Sequence, residues 1–233
     1  MTKKQLVFAV TLAAGAGWMG AAHAAERAEE MPGYALPDIV VEGERIAESD
    51  ENRLFSSTGG TGFLGTKDVM DVPFHQTNIT NKAITQYDDG MNTLPNALLT
   101  SPSVRTSGST LYNDFSIRGF AMNAYQFKIN GVPGMFTQMN TPANFVEHID
   151  VIAGPAIGIH GTASSESVGG SVNLVTKKAA YGKERITYQQ TINGRGALGE
   201  IFDIGKRFGK SEQWGVRVNA ENIQGTTAVD REK

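Results

Sequence analysis

The clearest hydrophobic pattern lies toward the C-terminus, where apolar and polar positions alternate with a period of two. Trp214, Val216, Val218 and Ala220 share one face of an extended chain, and Gly215, Arg217, Asn219 and Glu221 share the other. Ile186, Tyr188 and Ile192 alternate in the same way with Thr187, Gln189 and Thr191. Phe202, Ile204 and Phe208 alternate with Asp203, Gly205 and Arg207, while Lys206 interrupts the apolar row. Turns at Asn193-Gly194 and Gly209 to Gln213 would join these runs as antiparallel hairpins. The same alternation suits a half-buried soluble sheet and a membrane barrel with a polar lumen, so periodicity leaves both open. At about ten residues per membrane strand, the stretch from Tyr181 to Lys233 supplies three or four. The smallest membrane barrels need about eight, and lipid does not tolerate open strand edges. Either the sheet is soluble or the chain is part of something longer.

Upstream the pattern breaks into short pieces. Phe74 to Thr80 is β-prone, and Asn81 to Tyr87 reads as a short helix with Asn81 as its cap. Met91 to Leu99 reads as a second, capped by Asn92 or Thr93, with Pro95 in the first turn and Pro102 beyond the end. Four β-prone runs follow: Phe115 to Phe120, Tyr125 to Gly131, Phe145 to Ile152 and Ser171 to Lys177. Glycine, proline or asparagine bounds each one. This predicts a mixed α/β domain of short strands and small helices, followed by antiparallel strands. The loops Thr106 to Asn113 and Met135 to Asn144 are polar with scattered aromatics, suited to ligand contact and equally to surface turns.

The N-terminus adds a compartment. Lys3 and Lys4 precede the apolar stretch Leu6 to Gly17, and Ala22-His23-Ala24 offers the small residues that a signal peptidase reads. The apolar part is too short to span a bilayer as a helix, which takes about 20 residues. Cleavage after Ala24 makes the product an exported protein, two charges more negative than the −3 of the full chain. That acidic balance gives no electrostatic footprint for nucleic acid. The absence of cysteine excludes disulfides, thiolate metal sites and thiol nucleophiles. His75, His148 and His160 show no zinc-type spacing. No G-x-S-x-G, H-E-x-x-H or paired-carboxylate arrangement supports a hydrolase, so no catalytic residue is assigned.

Between the signal and the α/β domain, Ile39 to Val41 forms a brief β-branched segment between Pro37 and Gly43. It would either pair with another chain through its free edge or join the downstream sheet. Glu44 to Thr58 is a polar linker. Gly60, Gly62 and Gly65 spell G-x-G-x-x-G, but no hydrophobic strand precedes them and no long helix follows, so the run is a glycine-rich loop. The chain divides into a signal peptide, 1–24; an extended segment and linker, 25–58; the α/β domain, 59–179; and antiparallel strands, 180–233.

In order along the chain, several motifs resemble those of the TonB-dependent outer-membrane receptors, most closely the ferric-siderophore branch. Leu36 to Gly43 looks like the TonB box. Phe115-Ser116-Ile117-Arg118-Gly119-Phe120 resembles the I-R-G-F signature, and Ile129-Asn130-Gly131-Val132-Pro133 the D-G-V-P strand and turn. Ile149 to Pro155 resembles the strand that ends in G-P, and Gly169 to Lys177 is close to the terminal G-G-x-x-N-x-x-T-K of the plug. Four departures stand out: Asn130 replaces the usual Asp, Ser103 follows Pro102 in place of Gly, Ala153 replaces a basic residue, and Thr162 to Val168 is longer than usual.

The resemblance implies a globular plug inside a 22-stranded barrel, with the last 54 positions as the first barrel strands of an incomplete wall and Phe208 and Trp214 at the membrane interface. It implies outer-membrane location, a ferric siderophore as substrate, TonB as periplasmic partner, and neither enzymatic activity nor a cofactor or metal site. The TonB box falls on Asp38, Ile39, Val40 and Val41, and the plug signature on Arg118, Gly119, Phe120, Gly154, Pro155, Gly169, Gly170 and Asn173. Arg118 would pair with barrel-wall carboxylates, reach an anionic ligand, or form an ion pair inside the plug. Ligand-contact candidates are Arg118, Phe120, Tyr125, Met135, Phe136 and Gln138. The short stretch between Ala24 and Leu36 leaves no room for a signalling domain, which points to direct uptake, and such a portion would not transport alone. A soluble periplasmic binding or interaction module is the alternative; it leaves the amphipathic strands and the box unexplained.

Overall fold

Short β-prone runs bounded by turn formers cannot each bury a face alone, so they collect into a six-stranded sheet and two smaller ones, with helices on one side of the main sheet. The computed structural model describes residues 50, 52–87, 93–106, 112–139, 142–155, 159, 167–192 and 196–225. In chain order the elements are β1 (Phe55–Ser56), β2 (Thr58–Gly60), β3 (Thr66–Asp68), β4 (His75–Thr80), α1 (Asn81–Gln86) and α2 (Thr93–Leu98). Then come β5 (Val104–Thr106), β6 (Asp114–Ile117), β7 (Phe120–Asn123), β8 (Lys128–Ile129), β9 (Val132–Pro133), β10 (Val146–Ala153) and β11 (Gly170–Thr176). The chain ends in β12 (Arg185–Ile192), β13 (Leu198–Phe208) and β14 (Trp214–Gln224).

The main sheet runs β1-β4-β10-β11-β8-β9, antiparallel except where β8 joins β11 in parallel. Alternation gives it two unlike faces. Ile79, Ile149 and Leu174 lie side by side on the face that packs with Ala83 and Ile84 of α1 and with Leu94, Ala97 and Leu98 of α2. Phe127 stacks between Phe115 and Phe136, at 5.4 and 5.7 Å between ring centroids, and closes this core. On the opposite face Ser56, Asn78, Asp150, Asn173 and Lys128 form one cross-strand row, every member buried. Such a row survives burial only where each polar group finds a partner. Gln76 Nε2 donates to Asn78 Oδ1 and to the Gly60 carbonyl, and Asn173 Nδ2 donates to Asp150 Oδ2 at 3.4 Å.

Several expectations change in detail. Thr80, not Asn81, caps α1, accepting from the Ala83 amide, because it is the last extended residue before the helix. Helix α2 begins at Thr93; Met91 and Asn92 lie outside the described residues. The run Phe115 to Phe120 is a hairpin rather than one strand, since Arg118 and Gly119 both take positive φ, 52° and 85°. Tyr125 to Gly131 contains a short 3-10 turn over Ala124–Gln126 before β8. The glycine run forms the hairpin β2-β3 against the polar face. A Cβ at Gly59 would fall 2.2 Å from Asn78 Oδ1, which accounts for glycine there.

Strands β12, β13 and β14 form an open antiparallel sheet among the described residues. Ile186, Ile204 and Val218 align across it, as do Tyr188, Phe202 and Ala220, and all but Ala220 are large and exposed. Lys206, the interruption in the row, sits on this same face beside Glu184 at 3.3 Å. Phe208 and Trp214 pair at the hairpin end. The inward face carries the buried Ile201, Asp203, Arg217 and Asn219. The turn expected at Asn193-Gly194 lies outside the described residues, as do Asp38 to Val41 and His160.

His148, 1% exposed, is held neutral: burial, helped by the Lys178 charge, lowers its pKa from 6.5 to about 4. A folded pKa below the unfolded one means that stability is whole above pH 6.5 and falls as pH drops toward 4. Urea titrations across that window should show a loss of up to about 3 kcal/mol. His148→Leu should flatten that part of the profile.

Candidate functional site

Three motifs far apart in sequence meet at the tip of the β6-β7 hairpin. Ile117 and Phe120 pair, leaving Arg118-Gly119 as a two-residue turn with positive φ at both positions. The tip rests on Gly169 and Gly170 at the start of β11. A Cβ on Gly169 would lie 2.3 Å from the Ile117 carbonyl oxygen and 2.8 Å from Cβ of Phe120. One on Gly170 would lie 2.2 Å from the Ile152 carbonyl. Only backbone fits between the hairpin and the sheet. The Gly154 amide donates to the Gly169 carbonyl at 2.8 Å, which ties the end of β10 to this contact.

The Arg118 guanidinium passes over Gly154, with Nη1 3.5 Å from where a Cβ would sit. Its side chain is exposed and forms no ion pair among the described residues, which disfavours the pair inside the plug. A solvent-facing fork remains at the tip of a two-residue turn, and such a fork matches carboxylates bidentately. Phe120 beside it is 53% exposed. Pro155 is exposed and follows Gly154, whose φ is 123°.

Asn173 and Thr176 of β11 act on a second tight turn. Asn130-Gly131 between β8 and β9 also has positive φ at both positions, 51° and 82°, which asparagine and glycine tolerate. The Gly131 amide donates to Asn173 Oδ1 at 2.8 Å. The Thr176 amide donates to Asn130 Oδ1 at 3.0 Å, and Asn130 Nδ2 donates to Thr176 Oγ1 at 3.0 Å. Asn130 supplies an acceptor for that amide as an aspartate would, and adds a donor.

The ligand-contact candidates fall into separate groups. Arg118 and Phe120 lie at the hairpin tip, Tyr125 lies beyond the far end of β7, about 10 Å away at the rise of an extended strand, and Met135 and Gln138 belong to the loop after β9. Tyr125 is 45% and Met135 63% exposed, and Gln138 is exposed and accepts the Asn113 amide through its carbonyl at 2.7 Å. Phe136 instead points inward, buried at the end of the aromatic stack, so its contribution is to support the loop. Tyr112 and Met139, not singled out by sequence, are joined by a β-bridge and exposed beside Gln138. Their alternation of polar and apolar neighbours within loops gave no periodic signal.

At the junction of the α/β domain with the antiparallel strands, Arg217 grips Asp203 through two hydrogen bonds of 2.6 Å and donates to the Lys178 carbonyl at 2.8 Å. Lys177 adds a third contact to Asp203 at 3.3 Å. Arg207 donates to the Ala179 carbonyl. Arg217 lies flat because Gly205 faces it, where a Cβ would come within 2.7 Å of its Cδ.

The glycine contacts yield a direct test. Gly169→Ala should destabilise the chain by about 2 kcal/mol or more, because the obstacle is a backbone carbonyl. Gly119→Ala meets no neighbour and should cost only the positive-φ strain, about 1 kcal/mol. Urea midpoints of the two variants measure the difference.

Residues 68–170 match the TonB-dependent Receptor Plug Domain family. Over 180 residues the chain is 31% identical to the ferrichrome receptor FcuA of Yersinia enterocolitica, covering 75% of this chain and 23% of that one. Its fold superposes on BauA, the ferric preacinetobactin receptor of Acinetobacter baumannii, with a TM-score of 0.68 and 29% identity, over 77% of this chain and 27% of BauA. The pyoverdine outer membrane receptor FpvA of Pseudomonas aeruginosa shares the fold at a TM-score of 0.63 and 16% identity, over 76% of this chain and 26% of FpvA. These relatives are receptors rather than enzymes, and the chain spans about a quarter of their length. The mixed α/β unit and the open strands that follow it are those of a TonB-dependent receptor, and the chain belongs to that family through its plug domain.

Proposed function

We propose that the chain is the N-terminal portion of an outer-membrane receptor for ferric-siderophore uptake, its plug lodged in a barrel of which β12 to β14 are the first strands. The observation that carries this reading is the sheet β12-β13-β14: one face exposes aligned large apolar residues, and the other seats the plug through Asp203, Arg207 and Arg217. Such a sheet suits lipid outside and protein inside, and its outward apolar face argues against the soluble module. Its edges need further strands before it is stable in lipid. The names of the matched receptors support iron chelates as the cargo.

In this reading Asp38 to Val41 is the TonB box, pairing by strand addition with TonB at the periplasmic side. A pull along that segment reaches the plug at β1, a two-residue edge strand. Asp50 is the clasp there: it accepts the Ser57 amide at 2.9 Å and the Ser56 hydroxyl at 3.0 Å, and pairs with Arg53 at 3.1 Å. Arg118 faces barrel-wall carboxylates, and Phe120, Tyr125, Met135 and Gln138 meet the outward ligand, with Phe136 supporting them from beneath. The siderophore carries its own oxygen ligands to iron, so the plug contributes contact surface.

In the receptor with its full barrel, Ile39→Pro should abolish iron-chelate uptake while leaving chelate binding intact, because proline removes a ladder donor. Uptake at the parent rate would refute the box assignment. The 233-residue chain alone should give no closed, heat-modifiable barrel on electrophoresis after folding into detergent or lipid; a heat-modifiable species would overturn the partial-wall reading.

A further inference from the structure

A cleft of about 80 Å³ with a mixed polar and apolar lining, Ile84 and Ile201 included, lies on the seam between plug and strands. Asn144 and Lys177 line it from the plug, and Arg185, Thr187, Gln189 and Asp203 from β12 and β13. Asn144 is 7% exposed, and its Oδ1 and Nδ2 are both buried without a hydrogen-bond partner among the described residues. A buried amide left in that state costs free energy unless something in the cleft meets it.

The cleft brings charged side chains together where water is partly excluded. Asp203 has both carboxylate oxygens engaged by Arg217 and a further contact from Lys177, whose side chain is 7% exposed. Glu147 also acts on Lys177. Of the residues that line the cleft, Lys177 and Arg185 are cationic and Asp203 is the one carboxylate. Burial lowers the Lys177 pKa and the neighbouring Arg217 lowers it further, with Asp203 opposing. An incoming negative charge would relieve that conflict.

We propose that this cleft binds a small oxyanion, held by Lys177, Arg185 and the Asn144 amide, and that the bound anion pins the plug to the strand wall. Volume, charge and hydrogen bonding agree on this class. The space equals two or three waters by liquid volume, enough for a tetrahedral phosphate. Asn144 offers a donor and an acceptor, and a hydrogen phosphate answers both. A carboxylate side chain from elsewhere in a complete wall shares the oxyanion chemistry without the proton. The site uses none of the Arg118 hairpin or the ligand-contact loops, and it stands whether or not the receptor reading holds.

The test is thermal unfolding and isothermal titration calorimetry of the full chain with inorganic phosphate, sodium acetate and sodium chloride at matched ionic strength. A saturable response above chloride is expected, with Tm raised by about 3–6 °C at tenfold excess over Kd. A larger effect of phosphate identifies a free anion as the occupant, and a larger effect of acetate identifies a wall carboxylate. Asn144→Ala should weaken the binding at least fivefold. Arg185→Gln, at an exposed rim position, should do the same should Asn144→Ala fail to fold. Lys67→Gln, on exposed β3, should bind as the parent does. No response beyond that to chloride, or equal binding by the Asn144→Ala and Arg185→Gln variants and the parent, would overturn the proposal.

Discussion

Strand β11 must be buried on both faces, and the plug is organised around meeting that demand. All seven of its residues are buried. Val172 and Leu174 go to the core with no further requirement, but Ser171, Asn173 and Thr176 take hydroxyl and amide groups out of water. Each unsatisfied group would cost about 1–3 kcal/mol. Asn173 and Thr176 meet part of that demand by bonding the backbone of the Asn130-Gly131 turn, so the solution to a burial problem also fixes a turn 42 residues away in sequence.

The same strand begins at Gly170, just after Gly169, where the cost is steric rather than polar. The hairpin carrying Arg118 approaches so closely that a methyl group has no room. Closeness has a consequence for chemistry. A guanidinium on a flexible loop spends entropy when it binds, whereas Arg118 is presented by a two-residue turn already clamped against a sheet. The signature motifs are therefore three sides of one contact rather than independent features.

At the wall the order of forces is reversed. Asp203 and Arg217 form a buried pair between β13 and β14, and such pairs gain little net stability once desolvation is counted. What the pair does here is geometric. Arg217 uses its third nitrogen to hold the Lys178 carbonyl, and Arg207 reaches Ala179, so the segment leaving the plug is fastened to the inner face of the strands by its own backbone. Gly205 makes this possible by leaving the arginine stem space to lie flat.

Much of this was legible in the chain because local rules govern it. Period-two alternation set the three long strands and their faces, and β-prone runs between turn formers located β4, β10 and β11 within one or two residues. The motif spacing pointed to the family that the comparisons bear out. Other features depend on partners distant in sequence. Phe115 to Phe120 looks extended by propensity, and becomes a hairpin where Arg118-Gly119 turns onto Gly169. Phe136 has the composition of a contact residue, and is drawn inward by Phe127. Asn144 carries no periodic or motif signal, and its isolation is visible only once Lys177, Arg185 and Asp203 surround the same space. Alternation and turn chemistry act over a few neighbouring residues and so can be read from sequence; close approach, burial and charge balance belong to pairs that only folding brings together.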